Sequence, residues 1–467
     1  MIGSKIKNRK YAFVLLIIIL FSNGCGKSNE SVYDFSEIVE SDTLRVLTFN
    51  TSTSYFIYRD QPMGYHYDMI SQFCEEHGLV PKIVVAENTN AILKMLKDGV
   101  GDVIAYNMPI TNHMRDSVLY AGLQQISHQV LVQRVQQSDL MITDVTDLIE
   151  KKITVVEDSK YHNRLSNLNN ELGGGIIIDK INGDTTLVED LIRMVSRGEI
   201  EYTIADDELA LFNQTYFRNL DVHLPVSFDQ RSSWMVRKET PILADSLNSW
   251  YERSVVEPVY VRIIKRYFET AKGYTDIDVP TFESNLRAGV ISPYDIYFKQ
   301  YGEEFEIDWR LLASVSYQES TFDSEGSSWA GAKGLMGLMP ATAYSLGVDS
   351  IEILNPQTNI KAGAEYLSRL IGVFIFLEDK EERLKMALAA YNGGMGHVFD
   401  ARALAEKYGS DENVWEGSVE KFIQLKRLEQ YYNDPVSKNG YFRGDETVNY
   451  VREVIARWEH FKDKIKE

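Results

Sequence analysis

The chain has 467 residues, 44% hydrophobic and 25% charged, with a formal net charge of −19. That length suits two or three domains with sizeable cores. The acidity excludes non-specific nucleic-acid binding: no basic stripe offsets it, and Lys5, Lys7, Arg9 and Lys10 make residues 1–24 the exception.

Those four cations precede an apolar run from Tyr11 to Phe21 that is too short to span a bilayer, so residues 1–24 read as an export signal. The run ends in Ser22-Asn23-Gly24-Cys25, which resembles a bacterial lipoprotein cleavage site. Ser22 stands where Leu is usual and Asn23 where a small residue is usual. The resemblance implies a lipid on Cys25 and residence on the periplasmic face of the outer membrane; an uncleaved anchor and a secreted form are the alternatives. Residues 25–42 are expected to be a polar tether. Cys74 is then alone, and reads as a small buried hydrophobe. Two cysteines and eight scattered histidines without His-x-x-x-His spacing point to no metal and no cofactor.

From Thr43 short apolar runs alternate with helical patterns. Leu44–Phe49, Lys82–Val85 and Asp102–Ala105 read as strands. Gln61-Pro62-Met63-Gly64 reads as a turn, and Asp68 as the cap of a helix from Met69. The order strand–helix–strand indicates βα units and a largely parallel sheet. Leu96-Lys97-Asp98-Gly99 before Asp102, and Val195-Ser196-Arg197-Gly198 before Glu201, echo one another. They read either as generic punctuation or as two similar lobes flanking a cleft.

Over residues 43–265 the motifs Gly64-Tyr65-His66-Tyr67-Asp68, Pro109-Ile110-Thr111 with Arg115, and Asp207-Glu208-Leu209-Ala210 resemble the type-2 periplasmic solute-binding domains. That resemblance implies a two-lobed α/β fold. It implies that Arg115 clamps a ligand carboxylate, that Asp207 grips an amino group, and that Ser159 opens an anion-facing helix. Asp158-Ser159 replaces the usual Gly-Thr. The departure puts an anion where a ligand carboxylate would sit, so a muropeptide, an amino-acid-like ligand and a purely structural role stay open.

Residues 266–295 are mixed and polar, punctuated by Gly273, Pro280 and Pro293, and read as a linker. Residues 296–467 read as helices. Leu311, Leu312, Val315, Glu319 and Phe322 recur at helical spacing, with Asp308 as cap. A carboxylate in an apolar stripe is costly to bury ionised, so its pKa rises and it can serve as a general acid. The glycine-rich run Gly326–Gly337 cannot be a stable helix interior and admits close approach of a bulky ligand. Pro340 and Gly347 bound the next helix, and Tyr391 is expected to close another.

Four elements occur in the order found in lytic transglycosylase domains of the soluble-lytic-transglycosylase type, which have an all-α lysozyme-like fold. They are Glu319-Ser320, Gly331–Met336 with Leu338–Ala343, Ala389–Gly394, and Glu446–Val451. Gly337 stands where that family usually has Gln. The whole arrangement resembles the F family of membrane-bound lytic murein transglycosylases, whose first domain is regarded as regulatory. The resemblance implies that Glu319 protonates the MurNAc–GlcNAc oxygen of peptidoglycan and then takes the proton of the MurNAc C6 hydroxyl. The product is a 1,6-anhydro end. It implies support from Ser320, Asn392 and Tyr391, which would orient Glu319, sugar contacts from Ser328 and the backbone of Met336, and a far wall from Tyr450. Asp323 or Glu325 could instead activate water in a lysozyme-type hydrolase. A non-catalytic sensor of wall fragments is the third reading.

Overall fold

The computed structural model describes residues 33–111, 114–135, 141–182, 186–270, 286 and 289–466. The export signal and Cys25 lie outside the described residues. No described helix is long and apolar enough to cross a membrane.

The N-terminal domain has two lobes. In the first, β1 (Thr43–Thr48) runs parallel to β4 (Val80–Val85) and β5 (Val103–Pro109), and β12 (Gln230–Arg237) inserts antiparallel between β5 and β6 (Val118–Ser127). Leu44, Val46 and Leu47 of β1 are all fully buried, as expected of a strand covered on both faces. The second lobe holds β7 (Gln129–Arg134) between β10 (Thr203–Asp206) and β11 (Leu220–Asp221), beside a parallel pair, β8 (Lys152–Val156) and β9 (Ile177–Ile181). The chain crosses between lobes at Ser127–Gln129 and again before Gln230. The echoing helix ends fall one in each lobe, and Gly99 and Gly198 both take the left-handed conformation (φ +73° and +78°).

Three expectations need correction. The fold begins inside the stretch read as a tether: helix Phe35–Glu40 buries Ile38, and Asp34 accepts hydrogen bonds from the backbone of Ile242 and Leu243. Asp68 is not a cap, because its helix starts at Tyr65 and its carboxylate accepts from Arg266 and Tyr267. Gln61–Met63 is not the turn. It forms β3, paired antiparallel with β2 (Phe56–Tyr58), and the turn between them is Arg59-Asp60.

The C-terminal domain is helical. Its catalytic-candidate helix Trp309–Ser320 packs against helices Asp295–Glu304 and Asp445–Lys464. Ser314 Oγ donates to the carbonyl of Val454 at 2.8 Å. Leu312, Val315, Leu388 and Val454 are fully buried in one apolar core. The helix carrying Tyr391 runs on to Gly393, where Gly394 (φ +100°) breaks it before helix Met395–Lys407.

The two domains share apolar surface. Ala330, Ala332, Met339 and Tyr441 of the second domain are buried in the same cluster as Trp234 and Trp250 of the first. Arg266 ties the junction by donating to the carbonyls of Trp329 and Ala330 at 3.0 and 2.6 Å.

Candidate active site

Asp308 caps the Glu319 helix, accepting from Arg310 N at 2.9 Å. Thr321 (φ +55°) and Phe322 (φ +65°) end it in the left-handed region. Two such non-glycine residues in succession cost of order 1–3 kcal/mol each, which marks the turn as a constrained site. Glu319 thus sits in the last turn, at the negative end of the helix dipole. Its side chain is 5% exposed. Burial raises its carboxyl above the ordinary range, while Arg59 and Tyr450 pull it back. Asp323 and Glu325, the candidate second carboxylates, are both exposed.

Gly337 lies directly against the carboxylate. It has φ +58°, and a Cβ there would fall 2.1 Å from Glu319 Oε2. A Gln cannot occupy this position while Glu319 keeps its place.

Tyr391 does not hydrogen-bond Glu319. Its buried hydroxyl donates to the carbonyl of Met336 at 2.7 Å, and Asn359 Oδ1 accepts from Met336 N at 2.7 Å. The Met336 N–H is therefore engaged within the protein, and its carbonyl is held by one donor, which shapes the loop. Ser320 Oγ bonds the carbonyls of Leu335 (2.9 Å) and Ser316 (3.1 Å), fastening the helix end to the glycine-rich loop. Ser328 is exposed, and its Oγ accepts from Ala332 N. Asn392 Oδ1 accepts from Thr447 Oγ1 at 2.7 Å. Tyr450 is buried; its hydroxyl is close enough to Glu319 to lower the carboxyl's pKa, yet closes no hydrogen bond of good geometry.

The site holds one residue that sequence reasoning missed. Arg59, at the tip of the first lobe's hairpin, enters the second domain. Its Nη2 spans Glu319 Oε1 (3.0 Å) and Oε2 (2.9 Å). Its Nη1 donates to Gly337 O at 2.6 Å, its Nε to Asn392 O and its backbone N to Gly393 O, both at 3.2 Å. Beside it, the Asp60 carboxylate accepts from Met395 N (3.2 Å) and Gly396 N (3.3 Å). Arg59 and Asp60 have φ +50° and +57°. A two-residue turn of this hand normally uses Asn-Gly. Here the side chains are kept despite the strain, and both are spent on the second domain.

The second lobe also docks. Tyr441 donates to Glu189 at 3.2 Å, Arg193 pairs with Asp445, and Arg427 with Asp190, while Ser52 of the first lobe donates to Glu189 at 2.5 Å and so joins the two lobes.

Of the expected ligand residues between the lobes, Ser159 caps helix Lys160–Glu171 and its hydroxyl donates to Val156 O. Asp207 Oδ2 accepts from His128 N at the lobe crossing. Arg115 lies in a helical turn, Met114–Asp116, and its side chain is outside the described residues. The group that stands out is Glu208, pushed up to about 7 chiefly by burial. Asn107 donates to it at 2.5 Å, and the unpartnered Nε2 of buried His66 lies 3.9 Å away. Among the described residues no cluster of three or more His, Cys, Asp or Glu could hold a metal ion.

Residues 296–414 match the transglycosylase SLT domain, and residues 31–270 the bacterial extracellular solute-binding proteins, family 3. The chain is 32% identical, over 93% of each chain, to the membrane-bound lytic murein transglycosylase F of Desulfosudis oleivorans. It is 30% identical to the same-named protein of Aliivibrio fischeri, over 97% of this chain and 90% of that one. Among solved structures, an ancestral cationic amino acid solute binding protein is 18% identical, with TM-score 0.44, over 50% of this chain and 99% of that one. The chain, a two-lobed α/β solute-binding-like domain followed by a helical transglycosylase domain, belongs to the membrane-bound lytic murein transglycosylase F family.

Proposed function

We propose that the protein is a peptidoglycan lytic transglycosylase, held closed by its own N-terminal domain. The observation that carries the reading is Glu319: a buried carboxyl with its pKa raised, in the Glu-Ser motif, whose close partners among the described residues are Arg59 and Tyr450 and include no second carboxylate. Protonated Glu319 gives its proton to the glycosidic oxygen between MurNAc and GlcNAc. The same carboxylate then takes the proton from the MurNAc C6 hydroxyl, which closes on C1 as a 1,6-anhydro ring. No water is consumed. The names of the relatives, and the exposure of Asp323 and Glu325, favour this over hydrolysis.

Arg59 supports the closed reading. A guanidinium on both oxygens favours the ionised carboxylate, which cannot donate a proton. The hairpin also fills the space before Gly337 and Gly393 where a glycan would lie. A muropeptide or amino-acid-like ligand between the lobes, near Asp207 and Glu208, is the proposed opening signal, with Arg115 and Ser159 as further candidates. Lipid on Cys25 and residence at the periplasmic face of the outer membrane agree with the words "membrane-bound" in the relatives' names and with the sequence before Cys25.

Mass spectrometry of fragments released from purified murein sacculi tests the activity. Anhydro-MurNAc ends are expected. Reducing MurNAc ends would make the enzyme a hydrolase, and no release under any condition would favour a non-catalytic sensor.

A further inference from the structure

A buried polar chain runs beneath the hairpin and takes no part in the chemistry above. Lys426 is fully buried, as is His397, and Asp400 is 3% exposed. Lys426 Nζ donates to Asp400 Oδ2 and to His397 Nδ1, the latter at 2.8 Å. Asp400 is fixed in turn by the backbone N–H groups of Lys438 (2.9 Å) and Asn439 (2.8 Å). Phe442 stacks on the imidazole, centroids 4.0 Å apart and planes 15° from parallel.

This arrangement decides the state of His397. Nδ1 accepts from the ammonium, so the ring proton sits on Nε2. Burial, with Lys426 adjacent, holds the imidazole far below its ordinary pKa and therefore neutral. The outcome is an uncharged N–H donor with a fixed direction. Its Nε2 lies 3.0 Å from the carbonyl of Ile57, on the hairpin that carries Arg59.

The acceptor is an amide carbonyl supplied by a segment that occupies the groove. The hairpin follows the strip from Asn392 to His397, and Arg59, two residues from Ile57, reaches Glu319. When the hairpin leaves, Nε2–H is left facing the groove. Water can accept it there, and a substrate acceptor that replaces that water meets a donor whose direction Lys426 has already fixed. Murein offers amide carbonyls on its N-acetyl groups and along its stem peptides.

We propose that His397 is a substrate-binding residue of the open enzyme. It donates from Nε2 to an amide carbonyl of murein, the group for which the Ile57 carbonyl stands in when the hairpin is docked, and Lys426 and Asp400 are its positioning residues. The inference rests on the closed-hairpin reading given under Proposed function.

The test is steady-state kinetics of the full chain carrying Arg59→Ala, with soluble murein fragments as substrate. His397→Phe keeps the ring and removes the donor; His397→Gln restores a nitrogen near the Nε2 position. His397→Phe is expected to raise KM about fivefold to tenfold, the worth of one neutral hydrogen bond, with kcat changed less than twofold. His397→Gln is expected to recover most of that loss, and thermal melts of both variants show whether they remain folded. Repeating the series on fragments stripped of peptide by an amidase separates the sources. A KM effect that persists assigns the N-acetyl carbonyl, and one that vanishes assigns the stem peptide. An unchanged KM on both substrates, or equal impairment of Phe and Gln, overturns the proposal. Arg59→Ala alone reports on the hairpin: if it raises turnover while His397→Phe leaves KM unchanged, only the His397 inference falls.

Discussion

At the residue scale the proposed chemistry turns on one proton. Glu319 must be protonated to act as an acid, and burial favours that form while Arg59 opposes it. Taking Arg59 away therefore raises the carboxyl's pKa further. Activity that depends on protonated Glu319 is present below that pKa and lost as pH rises through it. The alkaline limb of the pH–kcat/KM profile is thus expected to lie at higher pH for Arg59→Ala than for the unaltered protein; an unmoved limb would separate Arg59 from the acid's ionisation. Glu319→Gln is expected to lower murein cleavage by roughly 10²–10⁴-fold, the usual worth of a general acid. Release of soluble fragments measures it, and near-full activity would remove Glu319 from that role. The burial of Glu319 was legible in the sequence because a carboxylate broke an apolar stripe, its proposed role only from the motifs around it, and Asp308 because caps have a local signature. Arg59 was not, because its partner is 260 residues away and nothing near Arg59 speaks of it.

At the element scale the site is a helix end, a glycine-rich loop and an inserted hairpin. Gly337 is where they meet. Gly337→Ala would place a Cβ 2.1 Å from Glu319 Oε2 on a backbone at φ +58°. Loss of about 1–3 kcal/mol of stability is expected, with cleavage strongly reduced, measured by denaturant unfolding beside fragment release. Wild-type stability and activity would mean that Glu319 has room to move aside. The Gly-Leu-Met element and the helices around it follow from local pattern. The hairpin does not. Gln61-Pro62-Met63-Gly64 carries the residues typical of a turn, yet the turn is Arg59-Asp60, held in the left-handed region by contacts to Gly393, Met395 and Gly396. Tertiary contact there outweighs propensity, which is where sequence reasoning fails at functional sites.

At the scale of the whole molecule, both lobes are bound to the catalytic domain. The first holds it through the hairpin and the second through Glu189, Asp190 and Arg193, which meet Tyr441, Arg427 and Asp445. A change in the angle between lobes cannot leave both contacts intact. The lobes were legible from alternating strands and helices; their shared grip was not, since it exists only between surfaces far apart in sequence. Removing contacts made only in the closed state shifts the population towards the open one. Arg193→Ala is expected to raise murein cleavage about twofold to fivefold, the scale of a partly exposed ion pair. Unchanged cleavage would place the second lobe outside the closing mechanism.

In the proposed closed state Arg59 shuts the site by occupying Glu319. The most direct measurement is the initial rate of anhydromuropeptide release from sacculi by Arg59→Ala beside the unaltered protein, without added ligand. A rate roughly tenfold or more higher is expected, because truncating one partner of a buried ion pair strongly disfavours the state that contains it. An equal or lower rate, from a protein that melts as the unaltered one does, would contradict it.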